Sequence, residues 1–559
     1  MSGMKQNPPL ECDVLVAGGG VAGLMAAIAA ADRGAKVIVA EKANSKRSGS
    51  GATGNDHFLC YIPEVHGEDP SEFIQEMESS QIGGNNDMDL VRRYVDECFD
   101  RVKDWDAWGV GMREHGDWEF NGHAKPGHLK VWLKYAGREQ KPIFTREALK
   151  RGVTILNHHP FAEVITGEDG TVAGGICVDL TEEIPKMQVI RAKSVVLATG
   201  NVNRLFGSRT MGWMFNMAGC PSDVCTGRAA AYRAGARLVN LDMTGMGAGC
   251  KYFNRGGKAT WIGVYSDIEG KPLGPFVTKP SKEYGDLAGD VWREMFTLKN
   301  SQGEPVFMNC SEIQDEDLDY MLWGLTNEGN VATMDHLKEE GFDFKKHMVE
   351  FDAKDGGSLG GGIDIDINAG CTVPGLYAAG DETGNFRADM GGAATFGHIA
   401  GVSAAEYSQG KENRNAEQMP AAAEWLEKHS QILERPADNS CPSWKELNVA
   451  VQQVMSDYCG PYVRSEHMMQ TGLTHLKRLQ KQVERMCAKN SHEFMRCIEV
   501  EDMFLMGELA FYSAMERKET RGRHRRVDYP FTNSLLNQKF VTIEKSDKGP
   551  SVGWRDKHK

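Results

Sequence analysis

Val14-Leu15-Val16-Ala17 runs directly into Gly18-Gly19-Gly20-Val21-Ala22-Gly23, and that junction constrains the fold more than any other stretch. An apolar strand that ends in Gly-x-Gly-x-x-Gly and continues through Leu24-Met25-Ala26-Ala27 opens a strand, turn and helix unit. Gly18 permits the tight turn, Gly20 lets a pyrophosphate approach the backbone, and Gly23 lets helix and strand pack closely. Free N–H groups at the helix start then face the phosphates. A second strand, Lys36-Val37-Ile38-Val39-Ala40, ends at Glu41, eighteen residues after Gly23. A carboxylate there can accept hydrogen bonds from both hydroxyls of an adenosine ribose. This order marks a dinucleotide site near the N-terminus, against the alternative of a glycine-rich turn in a domain without a cofactor.

Residues 14–31 are unbroken apolar and small residues, long enough to raise the question of a membrane span. Glycine and alanine dominate them and no signal-type flanks precede them, so no direct membrane span is expected. A chain of 559 residues with 41% hydrophobic content can bury a large core and, at ~100–200 residues per domain, should hold two to four domains. The formal charge of −14 argues against nucleic acid as a partner. Thirteen cysteines, an odd number scattered without a secretory leader, argue against a disulfide framework and for a reducing cytoplasm. Cys220 and Cys225 have the gap that opens a plant-type cluster motif, but no third cysteine follows two residues later and no CxxC occurs. His158 and His159 are adjacent and cannot share a helix face. No metal ligand set is expected, and an iron–sulfur relay would belong to another chain.

The loop Arg47-Ser48-Gly49-Ser50-Gly51-Ala52-Thr53-Gly54-Asn55, rich in small and hydroxyl residues, can lie against a flat ring system. Residues 70–110 read as helices covering the sheet. Residues 153–156, 162–165 and 172–178, with a turn at Glu168-Asp169-Gly170, read as a small antiparallel excursion. The chain returns to the main sheet through Ser194-Val195-Val196-Leu197, closed by Ala198-Thr199-Gly200. Leu473, Leu476, Leu479, Val483 and Met486 mark one apolar helix face, and residues 493–517 a further long helix. The basic run 517–526 contains Glu519 and is expected to form ion pairs rather than bind nucleic acid.

The order of dinucleotide unit, inserted hairpin and strand ending Ala-Thr-Gly resembles that of two-dinucleotide-binding-domain flavoproteins. Cys225-Thr226-Gly227-Arg228-Ala229-Ala230-Ala231-Tyr232 looks like the helix leading from the FAD domain into the mobile cap in the fumarate reductase and succinate dehydrogenase flavoprotein family. Gly375-Leu376-Tyr377-Ala378-Ala379-Gly380-Asp381-Glu382 is similar to the family's strand ending in Gly-Asp, whose acid binds the ribityl chain. Arg387-Ala388-Asp389-Met390-Gly391-Gly392-Ala393-Ala394-Thr395-Phe396-Gly397-His398 resembles the arginine, double glycine and helix that hold substrate and flavin, and Arg517 to Pro530 resembles its closing motif. Lys141-Pro142-Ile143 and Arg47-Ser48-Gly49 look more like the adenylylsulfate reductase flavoprotein subunit.

The resemblance implies an α/β fold: a Rossmann-like FAD-binding domain (1–240 and 356–410), an inserted α+β capping domain (241–355), a C-terminal helical domain (411–530) and a tail (531–559). It implies FAD held by Gly18, Gly20, Gly23, Glu41, Lys42, Ser48, Gly49, Gly54, Thr199, Gly200, Gly380, Asp381, Ala393 and Ala394. FAD should be non-covalent, because Gly49 stands where succinate dehydrogenases carry the linking histidine. Arg387 is expected to clamp an anionic small-molecule substrate through its bidentate fork. Arg255, in Asn254-Arg255-Gly256-Gly257, resembles the cap arginine that delivers a proton, and His398 is a third catalytic candidate. Leu241-Asp242-Met243-Thr244 and the glycines of 356–362 lack the histidines of C4-dicarboxylate reductases, and adenylylsulfate reductase has a histidine near the place of Arg387, so the substrate stays open. The expected function is an FAD-dependent oxidoreductase subunit paired with an iron–sulfur electron-transfer subunit. The alternatives are an oxidase of the L-aspartate oxidase kind and a flavin electron carrier without substrate chemistry.

Overall fold

The computed structural model describes residues 4–79, 85–113, 115–120, 129–207, 220–251, 261–273, 298–299, 302–436, 440–460 and 464–558. Strand β1 (Val14–Ala17) leads through the glycine turn to α1 (Val21–Asp32) and back to β2 (Val37–Glu41). After α2 (Met88–Trp108) and α3 (Gln140–Lys150) come β3 (Thr154–Asn157), then β4 (Phe161–Thr166), β5 (Val172–Asp179), β6 (Lys186–Arg191) and β7 (Ser194–Leu197). Helix α4 (Thr226–Arg233) and the short β8 (Leu238–Val239) precede the inserted segment, with β9 (Thr244–Cys250), β10 (Val264–Ser266), β11 (Val306–Asn309), α5 (Asp315–Asn327) and β12 (Val349–Leu359). Beyond it lie β13 (Gly362–Ile363), β14 (Leu376–Ala378) and α6 (Asp389–Ser408). Four helices follow: α7 (Pro420–Glu434), α8 (Trp444–Cys459), α9 (Glu466–Val483) and α10 (Ser491–Glu516). The chain ends in β15 (Lys539–Ser546) and β16 (Gly549–Asp556).

The central sheet is parallel, in the order β14, β7, β1, β2, β3. Its strands β1, β2 and β7 are buried at every position, as continuous apolar runs covered on both faces require. Residues 153–156 were expected in the antiparallel excursion. The strand there, β3, instead pairs in parallel with β2 and forms the edge of the central sheet. Val153-Thr154-Ile155-Leu156 carries no sign of which sheet it joins, because its pairing partner, beginning with Ile38 opposite Thr154, lies far back along the chain. The antiparallel layer is β4, β5 and β6, lying on one face of the sheet, where Gly175 of β5 sits against Leu15.

Helices α1 and α6 run side by side over the other face. A Cβ at Gly397 would collide with Ala22, and one at Gly401 with the carbonyl of Ala26, so glycines four apart let the two backbones touch. Because residue 397 meets 22 and 401 meets 26, the helices are parallel and both begin at the same edge of the sheet. The inserted segment has its own apolar core of Trp261, Tyr265, Met308, Met321, Leu325 and Phe351. The apolar stripe of α9 is buried at Met469, Leu476 and Val483, while Leu473 and Leu479 are half-buried.

Residues 531–559, expected as a tail, instead carry the β15–β16 hairpin. Its β15 pairs with β8, which also pairs with β13, so the strands entering and leaving the inserted segment are joined to each other and to the chain end. The four consecutive buried residues from Phe540 to Ile543 lack the alternation that would have signalled a half-exposed strand. Among the described residues no helix is long and apolar enough to cross a membrane.

Candidate functional site

The C-terminal ends of β1, β2, β7 and β14 lie along one edge of the sheet, where an open α/β sheet binds its ligand. Gly18 has φ 100°, and a Cβ there would collide with the carbonyl of Ala198. A Cβ on Gly23 would collide with the carbonyl of Gly18, so both positions require glycine. A Cβ on Gly20 would meet nothing nearer than 3.9 Å, which leaves room above the turn. No side chain caps α1, and its first N–H groups are open to an anion.

Both polar groups of Gly19 are held from behind. Its N–H donates to Glu41 Oε2 at 2.7 Å, and its carbonyl accepts from Lys141 Nζ, which reaches in from α3. Glu41 Oε1 accepts the N–H of Ala43 at 2.7 Å. Lys141 is fully buried, and burial, only partly offset by Glu41, pushes its ammonium down to about 8. Lys42, expected at the cofactor, turns instead to Glu499 at 2.8 Å and to the carbonyl of Ser222 at 2.7 Å.

The loop after β2 folds over the turn, with Gly49 (φ 76°) placing a Cβ position 3.6 Å from Gly20 Cα. Ser48 Oγ is buried with no hydrogen-bond partner among the described residues. Ser50 Oγ donates to Asp223 Oδ2 at 3.1 Å. Gly54 (φ 98°) packs against Asn327 at the end of α5, so the loop also touches the inserted segment. Nearby, Lys134 lies 4.2 Å over the ring of Trp323 from the same helix. After β7, Thr199 donates through its N–H (2.7 Å) and its hydroxyl (2.6 Å) to Glu382 Oε2, and accepts the N–H of Gly227 at 3.0 Å. Gly200 (φ 91°) sits beside the Asp223 carboxyl.

Gly380 (φ 74°) fits between Ala22 at the start of α1 and Ala393 at the start of α6, with Ala394 buried behind it. Asp381 follows, its carbonyl accepting from Arg228 and its carboxylate 4.0 Å from Arg387 Nε. Arg387 Nε also donates to Asp389 Oδ1 at 3.3 Å, and its backbone N–H donates to Asn86 Oδ1 at 3.0 Å. Against desolvation, Asp381 and Asp389 hold this guanidinium firmly charged. Asp389 takes φ 43° and Cys225, before α4, φ 68°; left-handed non-glycine residues of this kind store strain of about 1–3 kcal/mol and cluster at functional sites.

His398 is not part of this group. Nine residues along α6 from Asp389 place it ~14 Å further along the axis, where burial, with Arg101 and Arg33, pushes its imidazole down to about 4. Gly397 packs on Ala22, so His398 is level with the start of α1, but Arg101, Asp100 and Arg93 of α2 are charges around its ring, which is turned toward that helix. Arg255 lies outside the described residues. Three contributors were missed from the sequence: Asp223, Arg228 and Glu382. Glu382 could have been found, since it directly follows Asp381 in the Gly-Asp motif, whereas Asp223 belongs to no motif.

Glycines that cannot be replaced, open helix N–H groups, a buried serine hydroxyl without a partner among the described residues in the loop over the turn and a carboxylate at the end of β2 all fit a flavin dinucleotide. Residues 13–397 match the FAD binding domain family, and residues 448–558 match the fumarate reductase flavoprotein C-terminal family. Over 586 aligned positions the chain is 25% identical to one of the subunits of the CoM/CoB fumarate reductase of Methanothermobacter marburgensis, covering 95% of this chain and 98% of that one. It is 23% identical to the fumarate reductase flavoprotein subunit of Escherichia coli, covering 93% and 88%. The fold is similar to that of adenylylsulfate reductase from Archaeoglobus fulgidus, with a TM-score of 0.81 at 20% identity, covering 100% of this chain and 98% of that one. The chain therefore belongs to the fumarate reductase and succinate dehydrogenase flavoprotein family and is an FAD-dependent oxidoreductase of that type.

Proposed function

We propose that the chain is the flavoprotein subunit of a reductase that moves electrons between FAD and an anionic small molecule, with Arg387 as the anchor of that anion. The observation that carries this reading is the setting of Arg387. Its side chain is 37% exposed, both neighbouring acids meet it through Nε, and among the described residues its two terminal nitrogens have no hydrogen-bond partner. A guanidinium oriented in this way offers its fork to a carboxylate or a sulfur oxyanion. The starts of α1 and α6 lie at the same edge and add partial positive charge there.

FAD, when bound, supplies the electron-pair chemistry. The protein's part is to bind the anion, hold it over the cofactor and deliver a proton. Arg255, from the cap proposed over 241–355, is the proposed donor. Arginine's pKa above 12 means that a closed cap must desolvate it or pass its proton on through a carboxylate. FAD is held without a covalent bond, since Gly49 offers no side chain to form one. Electrons are exchanged with a separate iron–sulfur protein, a reading supported by cysteine spacing in this chain and by the relatives that are named as subunits. A cytoplasmic setting is supported by thirteen cysteines that are all thiols.

The test is anaerobic reoxidation of the reduced flavoprotein by a panel of unsaturated carboxylates and sulfur oxyanions, with the Arg387→Lys and Arg255→Lys variants beside it. At least one anion should reoxidise the flavin. The first variant should bind that anion more weakly, and the second should chiefly slow its turnover. A panel without any oxidant, alongside fast reoxidation by air, would favour the oxidase instead.

A further inference from the structure

Three carboxylates from separate parts of the chain lie close enough to influence one another at the strand-end edge: Glu41 at the end of β2, Asp223 ahead of α4 and Asp381 after β14. They differ in the partners around them. Glu41 accepts two backbone N–H groups and has Lys141 behind it. Asp381 is 29% exposed and faces Arg387. Asp223 is 7% exposed, and among the described residues the side-chain hydrogen bonds to its carboxyl come from neutral partners: Ser50 Oγ at 3.1 Å, Asn203 Nδ2 at 3.4 Å and the Cys220 thiol. The cation that favours its ionised form, Lys42, is committed to Glu499 and to the Ser222 carbonyl.

The FAD pyrophosphate brings two more negative charges to this edge. Carboxylates that share a poorly solvated site with other anions cannot all ionise, and the one least supported by donors and cations keeps a proton. We propose that Asp223 is a cofactor-binding residue that acts as a neutral carboxyl, so that FAD binding is accompanied by uptake of one proton at Asp223. The inference rests on the FAD site described above. Only an O–H bond forms, the proton comes from solvent, and nothing is oxidised or reduced. The neutral group can donate its O–H to an acceptor oxygen of the cofactor while it still accepts from Ser50.

The free protein is already poised for this step. Burial, reinforced by Asp381 and Glu41 and opposed by Lys42 and Ser50, pushes Asp223 up to about 7. Cys220, on the same segment, is pushed up to about 12 by its own burial and then by Asp223. Bound FAD favours the protonated form, so the pKa rises further in the complex. FAD affinity is then full below pH 7 and weakens as the pH rises, by up to about tenfold per unit.

The experiment titrates FAD into the FAD-depleted full-length protein at pH 7.5, in two buffers of different ionisation enthalpy. The dissociation constant is followed from pH 6.5 to 7.5. With Asp223 near 7, roughly three-quarters of a proton should be taken up at pH 7.5, and FAD should bind about threefold more weakly at pH 7.5 than at 6.5. Lys141, near 8, is mostly protonated at pH 7.5 and adds at most roughly a quarter of a proton. Asp223→Asn should take up no more than that quarter and lose the threefold weakening. Wild-type binding without proton uptake overturns the inference alone, and needs no variant that folds. An Asp223→Asn protein that takes up the wild-type amount also overturns it. A chain that binds no FAD overturns the cofactor assignment with it.

Discussion

Gly19 contributes no side chain, yet the charged pair that fixes its peptide groups decides how the turn meets a phosphate. Glu41 and Lys141 hold its N–H and carbonyl, so the following peptide cannot rotate, and the N–H groups of Gly20 and Val21 keep their aim. Lys141→Met should leave the Gly19 carbonyl buried without its donor, at a cost of about 1–3 kcal/mol. FAD affinity should fall accordingly, as read by flavin fluorescence. Arg387 and Arg255 belong to the same scale. Losing a desolvated bidentate partner at Arg387 should weaken anion binding by ~2–5 kcal/mol. Losing the proton donor at Arg255 should lower the single-turnover rate by roughly 10²–10⁴-fold, with binding changed less. If both lysine variants keep wild-type affinity and rate, neither arginine acts in the site.

At the scale of elements, the contact of α1 with α6 depends on Gly397 and Gly401, where a side chain would enter the facing backbone. Gly401→Val should cost at least about 1–3 kcal/mol, seen as a lower melting temperature. It should also weaken FAD binding, because the same contact brings both helix starts to one edge. These elements were legible from the sequence because each strand of the cradle is an apolar run stopped by glycine: β1 before Gly18, β7 before Gly200 and β14 before Gly380. The affiliation of β3 and the hairpin β15–β16 was not legible, since pairing partners far along the chain leave no local mark. Asp223 was illegible for a similar reason. Its partner Ser50 lies 173 residues away, and only the folded chain brings the two together. His398 shows the opposite error, a residue with catalytic chemistry inside a matching motif that helix geometry then faces toward α2.

Across the whole molecule, one buried carboxylate ties the sheet to the helical region. Glu499 of α10 meets Lys42 at 2.8 Å, Arg204 at 2.6 Å and Arg496 at 2.7 Å. Burial alone would raise its pKa, but Arg204, Lys42 and Arg496 outweigh burial and hold it well below the usual 4.5. A carboxylate lowered in this way stabilises the fold fully above pH 4.5, and that contribution is lost as the pH falls toward the folded-state value. Glu499→Gln leaves buried cations uncompensated and should cost about 3–5 kcal/mol at neutral pH. Acid titrations followed by tryptophan fluorescence should show the variant losing less of its remaining stability than wild type does between about pH 5 and about pH 3. Arg555, next to the chain end, bonds both Asp87 and Asp364 at 2.6 Å and so anchors the last strand to the segments that hold Arg387.

The place of β14 in the central sheet also bears on when the cofactor can enter. Its neighbours β7 and β1 are made early, but β14 leaves the ribosome about 360 residues after β1, which at roughly 5–20 residues per second is a delay of some ~20–70 s. During that interval the glycine turn exists without Asp381 and without α6 to lean on. A growing chain therefore carries half a cradle until α6 has emerged, and flavin loading waits for that point. Stalled ribosome-bound chains that end before Leu376 should retain no FAD, whereas chains that expose everything through Ser408 should begin to capture it.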